Sequence, residues 1–155
     1  MMVNIGDVAP NFTLNSHQNE KISLSKYIGV KNIILSFYVY SFTEGWAFQI
    51  SKFRQKMPEL QEINTQVLGI STDPSASQKA FSMSLGNISY PLLSDFHPKG
   101  KISKLYKVFN NTKGTSKRAI IIINKNGIIK FKKIYLDISE LDMEQIFTEL
   151  SKLKN

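Results

Sequence analysis

Cysteine is absent from this chain, and histidine occurs only as His17 and His97. Without a thiol there is no disulfide, no thiolate metal site and no cysteine nucleophile, and two histidines cannot assemble a histidine-rich metal centre. No metal and no cofactor are therefore expected. No stretch approaches the roughly 20 apolar residues that cross a bilayer, and the opening Met-Met-Val-Asn-Ile-Gly-Asp-Val-Ala-Pro lacks the basic-then-apolar layout of a secretory signal. The expectation is a cytoplasmic protein without membrane contact. Repeats, low-complexity tracts and Pro/Gly/Ser-rich linkers are also missing, which predicts one domain over residues 1–155.

What remains is ample for a layered core, since 42% of the 155 residues are hydrophobic. The net charge of +8 is uneven: the span between Lys99 and Lys133 holds eleven basic residues and no Asp or Glu. Such a run is a candidate footprint for nucleic acid or another polyanion. It is spread through predicted helix, loop and hairpin without interleaved aromatics, a pattern that favours a solvated surface. Arginine is scarce, with Arg54 and Arg118 set against eighteen lysines.

Asn11-Phe-Thr-Leu14 and Lys21-Ile-Ser-Leu24 flank a polar stretch and predict a small N-terminal β-hairpin. Asn32-Ile-Ile-Leu-Ser-Phe-Tyr38 suits a strand buried on both faces. From Gly45 onward, Trp46, Ile50, Phe53, Met57, Leu60 and Ile63 recur at helical period, and Pro58 should kink or divide that helix. Gln66-Val-Leu-Gly-Ile-Ser71 predicts the next strand. Asp73-Pro-Ser-Ala76 opens a helix expected to carry Ala76, Ala80, Phe81 and Leu85 on one side, and a short helix is predicted from Lys101 to Tyr106. Arg118-Ala-Ile-Ile-Ile-Ile-Asn124 and Gly127-Ile-Ile-Lys-Phe-Lys-Lys-Ile-Tyr135, joined through Lys125-Asn-Gly127, predict an antiparallel hairpin. A last helix from Ser139 to Leu153, opened by Ser-Glu-Leu-Asp, should bury Leu141, Ile146, Leu150 and Leu153. This order describes an α/β fold with a mixed central sheet flanked by helices, the thioredoxin topology.

Five phrases stand in a shared order: Gly6-Asp-Val-Ala-Pro-Asn-Phe-Thr-Leu14, Leu24-Ser-Lys-Tyr-Ile-Gly29, Val67-Leu-Gly-Ile-Ser-Thr-Asp73, Tyr90-Pro-Leu-Leu-Ser-Asp95 and Arg118-Ala-Ile-Ile-Ile-Ile-Asn-Lys-Asn-Gly127. Together they resemble a peroxiredoxin of the alkyl hydroperoxide reductase and thiol-specific antioxidant group, and the stretch from Val67 to Asp95 is similar to the bacterioferritin-comigratory subgroup. The active-site segment of that family reads Pro, three residues, Thr, two residues, Cys. Here the frame falls on Val39, Thr43 and Trp46, so only the threonine is kept. A glutamate three residues after the cysteine falls on Gln49, and a second cysteine used by one subgroup falls on Ser51.

The resemblance implies a thiolate at the first turn of a helix that attacks the peroxide O–O bond, with Thr and Arg donors aligning the peroxide. An indole has one N–H donor and no comparable turnover route. Arg118 matches the substrate-aligning arginine, and two readings of it stay open: an anion-holding or structural tie, and simple exposure. Thr43 is suited to an N-cap, and Trp46 to a core or interface aromatic. Gln49 and Ser51 are expected on the helix surface, and His97 in a solvated loop.

Three functions remain open. One is a redoxin that has lost thiol peroxidase activity and persists as a binding or regulatory module, as a homodimer or paired with an active relative. Another is a hydroperoxide reductase whose native residue 46 is selenocysteine or cysteine, because the selenocysteine codon UGA can be read as Trp. The third is a polyanion-binding domain using the span between Lys99 and Lys133.

Overall fold

The structure, a computed structural model, describes residues 3–153; the side chains of Glu44, Trp46 and Ile138 lie outside the described residues. In chain order the elements are β1 (Thr13–Ser16), β2 (Lys21–Ser23), β3 (Asn32–Phe37), α1 (Glu44–Gln55), α2 (Met57–Glu62), β4 (Thr65–Ser71) and α3 (Ser75–Ser84). Then follow β5 (Leu92–Ser94), α4 (Lys101–Leu105), β6 (Phe109–Asn110), β7 (Thr115–Ser116), β8 (Arg118–Ile123), β9 (Ile129–Tyr135) and α5 (Met143–Ser151). Seven strands form one sheet in the order β2-β1-β5-β4-β3-β8-β9. The β3–β4 and β4–β5 pairs are parallel, and the other pairs of the sheet are antiparallel. The expected mixed sheet with an N-terminal hairpin is thus present.

Strand alternation decides how the sheet is covered, because successive side chains point to opposite faces. In β3, Ile33, Leu35 and Phe37 join Ile121 and Ile123 of β8 in one core, with Ile102 of α4 and Tyr106 packed on them. Ile34, Ile120 and Ile122 face the other way, against Ile50 and Phe53 of α1, Leu60 of α2, Phe81 of α3 and Ile146 of α5. All four isoleucines of β8 are fully buried. Each contributes about 1.5–3 kcal/mol of burial free energy, which fixes β8, and Arg118 at its head, firmly between β3 and β9.

The helix containing Pro58 is divided as predicted, with the break at Lys56 and the proline in the first turn of α2, where its missing N–H costs nothing. Ile63 falls after α2 and is exposed, so it drops out of the stripe. On α3 the buried face is Gln78, Phe81 and Ser82, whereas Ala76 and Ala80 face solvent. Gln78 is buried because its Nε2 donates to Leu93 O, Ser71 Oγ and Tyr38 Oη at 2.8, 3.0 and 3.0 Å. The last helix begins at Met143, not Ser139. Asp142 is its N-cap, accepting from Glu144 N at 3.0 Å, and residues 138–140 form a separate 3₁₀ turn. Leu141, Ile146 and Leu150 are buried, and Leu153 is partly so. Among the described residues no helix is long and apolar enough to cross a membrane.

Candidate functional site

β3 ends at Phe37, which pairs with Ile70 of β4 and Ala119 of β8. The chain leaving β3, the end of β4 and the start of β8 therefore meet at one edge of the sheet. Asp73 ties the β3 exit loop down there. Its Oδ2 accepts from Ser41 N at 2.8 Å, Ser41 Oγ at 2.9 Å and Ser71 Oγ at 2.7 Å, and hydrogen bonds to a carboxylate are the strong kind. Phe42 follows in left-handed backbone, φ 68°, a conformation that costs a non-glycine residue about 1–2 kcal/mol. Its ring meets Phe81 edge-on, with centroids 4.9 Å apart, which holds the loop against α3.

Thr43 stands at the N-cap position of α1 with extended backbone, φ −89° and ψ 147°. Its carbonyl accepts from Ala47 N, but its hydroxyl does not cap the helix: Oγ1 donates to Tyr40 O at 2.9 Å. Thr43 therefore stiffens the loop, a different task from the side-chain cap expected of it. Trp46 is the third residue of α1. Its backbone lies where the helix has unpaired N–H groups and a dipole that favours an anion, while its side chain lies outside the described residues.

Arg118 reaches this first turn from β8. Its guanidinium rests on Gly45, where an added Cβ would stand 2.7 Å from Nη2, 3.1 Å from Nε and 3.2 Å from Cζ. Only a residue without a side chain admits the fork so closely. Among the described residues the guanidinium makes no hydrogen bond and no ion pair. Its charge does reach Asp137, whose carboxyl is held below its usual range by the backbone and side chain of Ser139 and then by Arg118. The structure thus brings Arg118 to the turn that joins Thr43 to Trp46.

Gln49, expected on the surface, is buried 2% exposed, with Nε2 donating to Ser36 Oγ at 2.6 Å and to Phe37 O at 3.3 Å. It pins α1 to β3 one turn below Gly45. Ser51 is exposed, as expected. Arg54 is not part of the site: it donates to the carbonyls of Leu85 and Gly86, which terminate α3. His97 is exposed, whereas His17 is buried and accepts from Leu92 N through Nδ1 at 3.1 Å.

The cationic span between Lys99 and Lys133 divides in space. Lys125 lines a cleft with Asn32, Ile63 and Phe147, at the end of β8 opposite Arg118. Lys132 donates to Val3 O and Tyr106 O, and burial together with the charges of Lys107 and Lys117 holds its pKa below the usual value. Lys113, Lys117 and Arg118 share another cleft with Val39, Thr115 and Tyr135. The hydroxyl of Tyr135 is pushed up to about 12 by burial and by Asp142 and Glu140, so it stays a neutral donor near pH 7.

Sequence patterns did not single out Gly45, Ser41 or Lys113. Asp73 was visible within the phrase ending Ser-Thr-Asp73, although its role as the loop clamp was not.

Known proteins resemble this chain in sequence and in fold. A profile of the AhpC/TSA family matches residues 5–132. The chain is 34% identical over 133 residues to alkyl hydroperoxide reductase E of Mycobacterium tuberculosis, covering 86% of each protein. Among solved structures, AhpC of Enterococcus faecalis superposes with a TM-score of 0.87 at 25% identity, over 97% of this chain and 92% of that one. The reduced 2-Cys peroxiredoxin of Plasmodium vivax gives 0.85 at 26% identity, over 95% and 80%. With a family profile matched over most of its length, a reductase relative at 34% identity and a thioredoxin-like sheet shared with solved peroxiredoxins, the chain belongs to the AhpC/TSA family.

Proposed function

We propose that this chain is a peroxiredoxin-fold protein without thiol peroxidase activity, retained as a binding or regulatory module. One observation carries the reading: the third residue of α1, where the family frame puts its cysteine, is Trp46, and the chain has no cysteine elsewhere to take its place. Peroxide reduction by this family needs a thiolate that attacks the O–O bond and is then restored by a reductant. The remaining frame, with Arg118 seated on Gly45 and the loop clamped by Asp73, suits holding a ligand or partner rather than turning one over. The test is consumption of hydrogen peroxide with dithiothreitol or thioredoxin as reductant, after removal of trace metal. The expected rate equals that of a protein-free control, and catalytic consumption above it would overturn the reading.

The position of the tryptophan favours one second reading, in which native residue 46 is selenocysteine encoded by UGA and the natural protein is a hydroperoxide reductase. The codon for residue 46 decides it: UGG ends this alternative, and UGA beside a selenocysteine insertion element establishes it.

A further inference from the structure

Lys132 of β9 is half-buried, and its side chain crosses the α4 face of the sheet. There Nζ donates to Val3 O at 3.1 Å and to Tyr106 O at 3.0 Å. A lysine nitrogen is tetrahedral: its own Cε takes one position, and these two hydrogen bonds take two more. The fourth carries the third proton of the ammonium or the lone pair of the neutral amine. Two backbone carbonyls thus hold the nitrogen in the pose of an oriented nucleophile. An open cavity of about 490 Å³ lies beside it, lined by Asn4, Ile5, Lys132 and Ile134. Ile5 and Ile134 are exposed and give this cavity an apolar wall.

The charges around Lys132 differ from those around other lysines. Lys26, Lys52, Lys104 and Lys133 rest over aromatic rings, and Lys56 and Lys152 pair with glutamates, contacts that favour the ammonium. Among the described residues Lys132 has neither. The charges that act on it are those of Lys107, which follows α4, and Lys117, which precedes β8; both are exposed. Burial first, and these two like charges second, favour its neutral amine. Asp7, in the same N-terminal segment as Val3, accepts from Asn4 N at 2.8 Å. The cations that favour the free amine also attract an anionic reagent. A reagent with a small apolar acyl group and an anionic leaving group matches the apolar wall and the cations together.

We propose that Lys132 is a site of covalent acylation by a small acyl phosphate, its Nζ attacking the acyl carbonyl beside Ile5 and Ile134. The ammonium first gives one proton to water. The N–C bond then forms as the C–O bond to phosphate breaks, and the phosphate leaves with the electron pair and takes up a second nitrogen proton as hydrogen phosphate. The resulting amide keeps one N–H for two carbonyls, so either Val3 O or Tyr106 O loses its partner. The inference concerns the face of the sheet opposite α1 and does not depend on whether the chain turns over peroxide.

The experiment exposes the folded full chain to acetyl phosphate at mildly alkaline pH and constant ionic strength, and follows acetylation of each lysine over time by peptide mass spectrometry. Lys132 is expected to react at least about threefold faster than Lys130, which is exposed on the same strand. The lead should vanish in concentrated urea, where the carbonyls and the cavity are gone. Combining Lys107→Gln with Lys117→Gln should slow Lys132 several-fold more with acetyl phosphate than with the uncharged N-hydroxysuccinimide ester of acetic acid. Both reagents lose the favoured free amine, but only the first loses the attraction for its leaving group. A smaller lead over Lys130, a lead that persists in urea, or equal slowing of the two reagents would each overturn the assignment.

Discussion

Replacing Gly45 with alanine tests whether Arg118 is seated or pinned. The new Cβ would stand 2.7 Å from Nη2, against an ordinary contact of about 3.5 Å, so the guanidinium must retreat by roughly 0.8 Å. That group is the far end of a flexible side chain with no hydrogen bond to break among the described residues. The retreat is therefore cheap. Alanine in place of glycine near a helix start adds up to about 1 kcal/mol of stability. Gly45→Ala is accordingly expected to leave the urea midpoint unchanged or raise it, with no change in the denaturant slope. Urea melts of the variant and the parent chain check this. A loss of more than about 2 kcal/mol would refute the reasoning by showing that the fork is rigidly held.

Two further predictions concern the rest of the molecule. Burial, with Lys79 acting in the same direction, holds His17 below the ordinary 6.5, against weaker backbone hydrogen bonding of the ring to Leu92 and Ile88. The unfolded chain thus takes up a proton near pH 6.5 that the folded chain refuses, so stability should fall as pH drops from 7 through 6.5 towards the lowered folded value. Urea midpoints at pH 5, 6 and 7 check this, and His17→Asn, which keeps an acceptor for Leu92 N, should flatten the slope; an unflattened slope contradicts the assignment to His17. Tyr40, Phe42 and Phe48 are 46%, 62% and 42% exposed around the start of α1, an apolar face suited to pairing. A homodimer mass is expected by sedimentation at about tens of micromolar protein, and a monomer mass counts against it.

Much of the framework was legible because its periods are strong. Four consecutive isoleucines followed by Lys125-Asn-Gly127 announced β8 and its hairpin, and Pro58 announced the division between α1 and α2. The misses have local causes. β5, β6 and β7 span three, two and two residues, too short for any period. Ser139-Glu-Leu-Asp142 offers two N-caps three residues apart, and the chain uses the second, with Leu141 buried in the core. Ala76 and Ala80 suggest an apolar face, yet the buried place goes to Gln78, whose Nε2 donates to Leu93 O, Ser71 Oγ and Tyr38 Oη. Arg118 was marked by its rarity and its family frame, but its seat on Gly45 joins residues 73 positions apart and leaves no local trace. Gln49 shared the helical stripe with Trp46 and Phe53, so its burial was readable from spacing had its polarity not argued otherwise.

Whether the peroxiredoxin frame outlived its nucleophile is tested most directly by Trp46→Cys. A thiol at the third residue of α1 lies in the field of the helix start and next to the residue on which Arg118 rests. An ordinary thiol of pKa ~8.5 is about 3% thiolate at pH 7, whereas one brought to ~6 is about 90% thiolate. The measurement is the pH profile of iodoacetamide alkylation on the folded variant, repeated with Arg118→Met added. A midpoint well below 8.5 that rises when Arg118 is removed is the predicted result; a midpoint at or above 8.5, insensitive to Arg118, would show that the supporting site decayed along with the cysteine.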